Sequence, residues 1–180
     1  MNRGWIIAFA SSKGGPGKTT CAICLGTELA LAGSTVALID ADPNQHLYAW
    51  GSLVTHDRLE VVGGVTEESI LERIRESATR SDFVLVDLEG TANNALTYAV
   101  SKADLVIVPA QPSRMDLQEA YRAAALVDRA GEVVERAIPY RILLSKMPVL
   151  VTRAAKHARE QLEQSGIPVF ATEILERTAF

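Results

Sequence analysis

The chain has 180 residues, 48% of them hydrophobic and 22% charged, with a formal net charge of −4. This length predicts one domain, residues 1–180, around one core, and the composition excludes a disordered chain. No apolar run reaches the roughly 18 residues of a membrane-spanning helix, and the acidic balance excludes coating of nucleic acid by overall charge.

Met1 to Trp5 leaves no room for a signal peptide before the first apolar stretch, which predicts a cytoplasmic protein. Residues 5–10 are apolar and read as a buried strand. Residues 11–20 then read Ser-Ser-Lys-Gly-Gly-Pro-Gly-Lys-Thr-Thr, and helix-favouring residues follow from Cys21 to about Gly33. A strand, a glycine loop and a helix form the setting in which backbone N–H groups converge on a polyphosphate at a positive helix end. Side chains at Gly14, Gly15 or Gly17 would hold the phosphate off or clash in the turn. Lys18 can reach the outer phosphates, and the Thr19 hydroxyl can ligate magnesium. The expected cradle for a nucleoside triphosphate is Lys13, Gly14, Gly15, Pro16, Gly17, Lys18, Thr19 and Thr20.

This loop departs from the ordinary phosphate-loop pattern. Ser12 stands where a glycine is usual, and a second lysine, Lys13, is present. A lysine that its own loop does not need is available to reach another charge.

Further along, residues 35–40 read as a buried strand ending in Asp40, with Asp42 close behind. A shorter apolar stretch covers 59–62, a helix 67–80, and a strand 83–87 that ends in Asp87. Residues 94–101 look helical, 103–109 form a strand, and 115–130 form an amphipathic helix with Gly131 past its end. A strand at 140–145, a helix at 152–165 and a short last strand at 167–170 complete the chain. The alternation predicts an α/β fold of the P-loop NTPase kind, a mostly parallel twisted sheet with helices on both faces. Ligands of such sheets sit beyond the carboxyl ends of the strands, where Asp40, Asp42 and Asp87 gather. Asp87 can hold magnesium through water while Thr19 binds it directly. In-line attack on a γ-phosphate needs a held water and neutralised charge, and Lys18, Lys13 and the metal are the positive groups at hand.

The lysine-bearing loop, the segment Asp40-Ala41-Asp42-Pro43-Asn44-Gln45 and the later Val108-Pro109-Ala110-Gln111-Pro112-Ser113 together resemble the ParA/MinD family of deviant Walker A ATPases. The closest resemblance is to ParA-type plasmid and chromosome partition ATPases. It implies that Lys13 crosses a dimer interface to touch the nucleotide of the partner subunit. It also gives Asp42 the role of orienting the attacking water and Asp40 a place in the magnesium water shell. The implied cofactors are ATP and Mg2+, and hydrolysis is expected to be weak until a partner stimulates it. The implied partners are a second copy in an ATP-bound homodimer, nonspecific DNA, and a ParB-like centromere-binding adaptor. The ATP-bound form would then sit on the nucleoid.

Some residues depart from the family pattern. Asn44 intervenes before Gln45, and Asp87 is followed by Leu88-Glu89-Gly90-Thr91-Ala92-Asn93-Asn94, not by the usual threonine and proline. Gly90 still permits close approach to the γ-phosphate. Family members usually continue with further helices, so the chain is either a short version or lacks a C-terminal helical tail. A related ATPase of conjugal DNA transfer is an alternative reading. A MinD-like positioning ATPase at the membrane is another, but residues 165–180 show no basic amphipathic helix and no membrane anchor is evident. Lys13 argues against a small-molecule ligase resembling dethiobiotin synthetase.

Other residues carry weaker signals. Cys21 and Cys24 lack a second pair at ligand spacing and read as packing against the sheet, as do Tyr48 and Trp50. Arg153, Lys156, His157 and Arg159 are either a stripe for DNA phosphates or a solvated face shared with Glu160 and Glu163. Arg114, Arg122 and Arg129 serve an interface or solubility. Ser145-Lys146-Met147-Pro148 follows a strand where related NTPases contact the base, and without a guanine-type motif there ATP is favoured over GTP.

Overall fold

The structure, a computed structural model, describes residues 3–90, 94–150 and 152–177. Its elements run β1 (Trp5–Phe9), α1 (Lys18–Leu31), β2 (Val36–Ala41), α2 (His46–Gly51), β3 (Leu59–Val62), α3 (Ile70–Arg80), β4 (Phe83–Leu88), α4 (Asn94–Lys102), β5 (Leu105–Ala110), α5 (Arg114–Val133), β6 (Tyr140–Leu144) and α6 (Arg153–Gln164). The strands form one sheet in the order β3-β2-β4-β1-β5-β6, and every pairing is parallel. This is the expected P-loop arrangement.

Parallel strands require crossovers, and helices in the crossovers cover both faces of the sheet. That explains the unbroken apolar runs in β2, β4 and β5. On one face, Ile7, Phe9, Leu38, Leu85 and Ile107 meet Cys21 and Ala22 of α1. On the other, Ile6, Ala8, Val84, Val86 and Val108 meet Ile74, Ala99, Leu117 and Val127 of α3, α4 and α5. Fully burying a side chain such as Leu38 or Leu85 contributes about 1.5–3 kcal/mol. Alignment of the strands brings Asp40 opposite Asp87, and Phe9 opposite Asp87 on the other side. The acid-bearing ends of β2 and β4 therefore lie beside the strand that feeds the glycine loop.

The face carrying α1 is the less covered of the two. A cavity of about 510 Å3 opens there between α1 and residues 170–174, lined by Phe9, Leu25, Ile107, Leu143 and Ile174 among others. Cys24 is exposed on its rim, whereas Cys21 is buried. The packing role expected for both cysteines holds only for Cys21, since helical spacing turns Cys24 past the sheet.

Other differences from expectation have local causes. The short α2 is not among the expected elements; it starts from Gln45, whose backbone takes the left-handed φ of 53°. α3 begins at Ile70, because the Ser69 hydroxyl accepts from the Thr66 N–H and closes a turn first. α5 runs through Gly131 to Val133, and the Arg136 N–H donates back to the Gly131 carbonyl at 3.0 Å. Residues 167–170 make only an isolated bridge, Val169 beside Ile142. Pro168 has no N–H to extend that pairing and contributes only its carbonyl, which accepts from Ile142 at 2.9 Å. Thr91, Ala92, Asn93, Val151 and 178–180 lie outside the described residues.

Candidate functional site: a phosphate loop with two lysines

Between β1 and α1 the chain turns through Gly15 and Gly17, with φ of 98° and 96°. Only glycine adopts these left-handed conformations without strain. Lys18 opens α1 and is 6% exposed, so its stem lies under the loop. Its ammonium donates to the Ser11 hydroxyl at 2.9 Å, and that hydroxyl donates to the Lys13 carbonyl at 2.6 Å. Burial lowers the Lys18 pKa, and the charges of Asp87, Asp42 and Glu89 oppose that fall. An anion placed here would restore what burial removes.

The loop is also tied to the ends of β5 and β6. The Ser145 hydroxyl donates to the Pro16 carbonyl at 2.6 Å, and the Gln111 amide donates to the Gly15 carbonyl at 3.0 Å. Gly90, after β4, rests on the loop's other end. A Cβ at that position would run into the Lys13 carbonyl carbon and lie 2.5 Å from the Gly14 nitrogen. Contact with backbone leaves no flexible atom to give way, so only glycine fits.

Asp87 is buried and its Oδ1 has no hydrogen-bond partner among the described residues. Burial pushes its pKa up to about 6, against the pull of the Thr19 hydroxyl and the Lys18 charge. A buried carboxylate oxygen left unpaired beside a threonine hydroxyl suits a hard, oxygen-seeking cation. Thr19 and Asp87 thus fit a hard divalent cation such as Mg2+.

Asp40 and Asp42 lie together but are differently engaged. Asp40 is fully buried; its Oδ1 accepts from the Asp42 N–H at 3.1 Å and its Oδ2 from the Tyr48 N–H at 2.8 Å. Burial raises its pKa despite these bonds. Asp40 therefore anchors the segment between β2 and α2. Asp42 Oδ1 accepts from the Asn44 N–H at 2.9 Å and the Asn44 side-chain amide at 2.8 Å, an Asx turn. Gln45 staples this turn from the side: its amide donates to the Asp42 carbonyl at 2.8 Å, and its Oε1 accepts from the Gly64 N–H at 2.7 Å.

Lys13 stands on the opposite side of the loop. Its ammonium pairs with Asp116 Oδ1 at 2.8 Å, and the two side chains are 39% and 13% exposed. Next to it, the Ser12 hydroxyl donates to Glu119 Oε2 at 2.5 Å. Both acids belong to the first turns of α5. Sequence reasoning missed Ser11 and Glu119 as members of the site. It singled out the segments that hold Gln45, Gln111 and Ser145 but not their bonds to the loop and to the Asp42 turn, nor the pairing of Asp116 with Lys13. The available signal for these contacts was their place at the carboxyl ends of strands.

The helical stripe on α6 is partly spent within the chain. Arg159 donates to Glu173 Oε1 at 2.9 and 2.5 Å and to the Phe170 carbonyl at 3.2 Å, which ties down residues 170–173. Arg153, Lys156 and His157 remain exposed. Tyr48 is 50% exposed, not packed as expected.

The family model described as VirC1 protein matches residues 5–180. The chain belongs to the ParA-like VirC1 family. It is similar to Protein ParA of Rhizobium radiobacter, 32% identical over 177 residues that cover 97% of this chain and 80% of that one. Protein virC1 of the same organism is 31% identical over 183 residues, covering 97% and 78%. The fold also matches an ATP complex of McdA from Cyanothece with a TM-score of 0.84 at 16% identity, covering 98% of this chain and 85% of that one. As a member of the VirC1 family the chain is a ParA-type nucleotide-hydrolysing ATPase. Among the described residues no helix is long and apolar enough to cross a membrane.

Proposed function

We propose that the chain is an ATP-driven switch that dimerises on ATP, binds DNA nonspecifically in that form, and is released when a ParB-like adaptor stimulates hydrolysis. The single domain spans residues 1–180 and works in the cytoplasm, joining the nucleoid when ATP is bound. Its cargo is a plasmid or chromosome, or transfer DNA in the conjugal variant of the same machine. The observation that carries this reading is the loop itself, in which a buried Lys18 and a half-exposed Lys13 flank glycines at φ near 98° and 96°.

ATP binds with its phosphates over Gly14, Gly15, Pro16 and Gly17 and against Lys18, Thr19 and Thr20. The N-terminal end of α1 and the Lys18 charge draw the anion in. Mg2+, when bound, would supply charge neutralisation at the phosphates. Thr19 would hold it directly and Asp87 through water, with Asp40 in its outer shell. Asp42 orients the attacking water on the γ-phosphate side, and its Asx turn with Asn44 fixes the carboxylate for that role. Gly90 touches the loop backbone at Lys13 and Gly14, so movement after loss of the γ-phosphate passes directly to the residues following β4. Lys13 completes the charge set of a second copy's nucleotide.

The test is a gel shift of nonspecific duplex DNA with ATP, ADP or no nucleotide, using the Asp42→Ala protein to hold the ATP state. Retardation with ATP alone supports the switch. Equal retardation in all three lanes, or none, overturns it.

A further inference from the structure

Lys13 can serve a partner's nucleotide only if it leaves the charge it now holds. Its ammonium lies 2.8 Å from Asp116 Oδ1, and Asp116 is the more buried member of the pair. Around Asp116, the Ser113 hydroxyl donates to the other carboxylate oxygen and the Lys146 charge lies near. Burial pulls the Asp116 pKa up, but the bonds from Lys13 and Ser113 and the charges of Lys13 and Lys146 bring it below the usual carboxylate range. The carboxylate is therefore favoured in its charged form and holds a cation.

A second contact one turn along α5 points at the same loop. The Ser12 hydroxyl donates to Glu119 Oε2 at 2.5 Å, with the Glu119 carbonyl 2.9 Å away. The other Glu119 oxygen accepts from Arg122 at 2.7 Å, and Arg122 is 70% exposed. Ser12 is the position where an ordinary phosphate loop carries glycine, which has no hydroxyl to give. The residues that set this loop apart, Ser12 and Lys13, are thus the residues that α5 holds.

We propose that Asp116 and Glu119 are positioning residues that hold Ser12 and Lys13 against α5 in the monomer, and that release of Lys13 from Asp116 is a step of ATP-dependent dimer formation. This rests on the dimer reading given above. The exchange is one of anions: Lys13 leaves a carboxylate of single charge for the more highly charged triphosphate of a second copy. Asp116 keeps Ser113 and Lys146 after the exchange, so it is not stranded. The held lysine makes the dimer wait for a partner subunit that already carries its nucleotide.

Two measurements on full-length protein test this. In the nucleotide-free state, Lys13 acetylation by acetic anhydride is followed by mass spectrometry, in wild type and Asp116→Asn. The proposal expects severalfold faster labelling in the variant, because asparagine keeps the shape and the Ser113 bond but loses the charge. Equal rates overturn it. The dimer Kd at saturating ATP is then measured by analytical ultracentrifugation. The expected result is a Kd lowered roughly three- to fivefold in Asp116→Asn, the size of one partly exposed ion pair. An unchanged or raised Kd overturns the positioning role, the latter because Asp116 would then assist the dimer. If Asp116→Asn does not fold, Glu119→Gln takes its place with a smaller shift of the same sign. A wild type that stays monomeric at every ATP concentration sinks the dimer reading, while the labelling result still decides whether Asp116 holds Lys13.

Discussion

Lys18 and Lys13 belong to one loop and sit in opposite surroundings. Lys18 is buried at the start of α1, turned inward to Ser11, with Asp87 and Thr19 beside it. Lys13 is half-exposed and paired outward to α5. The inner half is finished within one chain, with an unpaired carboxylate oxygen and a lysine whose charge burial disfavours. The outer half is neutralised by the chain's own acids. On the reading proposed above, this difference separates a group that binds the chain's own ligand from one that answers to a second molecule.

The comparison breaks first at Lys18. Lys18→Ala is expected to weaken ATP binding by on the order of a thousandfold, since it removes a buried charge from the anion site. Titration calorimetry that finds micromolar binding retained would mean that the inner half does not hold the phosphates. Asp42→Ala tests the catalytic reading of the same half. It should bind ATP normally and hydrolyse it about a hundredfold more slowly, the scale of losing a positioned water. Wild-type phosphate release from this variant would strip Asp42 of its role.

Asp87 sharpens the comparison through pH. Its folded pKa of about 6 lies above the ordinary 3.8, so the proton is held more tightly in the folded state. The stability this contributes is complete below pH 3.8 and is lost as pH rises through about 6. In magnesium-free buffer at pH 7.5, Asp87→Asn should therefore melt higher than wild type by roughly 5 °C. The gain should shrink on acidification and vanish near pH 4. A thermal melt showing equal stability at both pH values counts against the buried, unpaired carboxylate. The smallest expected effect is that of Gly90→Ala, which must move the backbone at Lys13 and Gly14. About a tenfold loss of ATP affinity is expected, in line with overpacking of a tight site. Unchanged affinity by calorimetry would mean that the contact yields freely.

Most of the fold was legible because it repeats simple signals. Apolar runs of strand length, each followed by a helical stretch, leave little choice but a parallel sheet with crossovers. The boundaries went astray where tertiary contacts overruled local preference: Gly131 reads as a helix stop, yet α5 passes through it. Pro168 shortens the last strand to a bridge because one missing N–H ends the ladder. That Lys18, Thr19 and Asp87 come together at one edge of the sheet was legible from spacing. Asp40 was legible as an acid at the sheet edge, but its bonds to Asp42 and Tyr48 were not.

The sequence by itself determined that a glycine-lysine loop follows the first strand, that acids end the neighbouring strands, and that a second lysine lies before the glycines. These follow from chain-local chemistry: glycine permits a turn that other residues resist, and an apolar run commits itself to a strand. Only the tertiary structure decided where the second lysine rests. Asp116 and Glu119 lie about a hundred residues away along the chain, and nothing in local spacing connects them to Ser12 and Lys13. Pairing of β5 with β1 and packing of α5 on β5 bring them together, and charge then pairs what the fold has made adjacent.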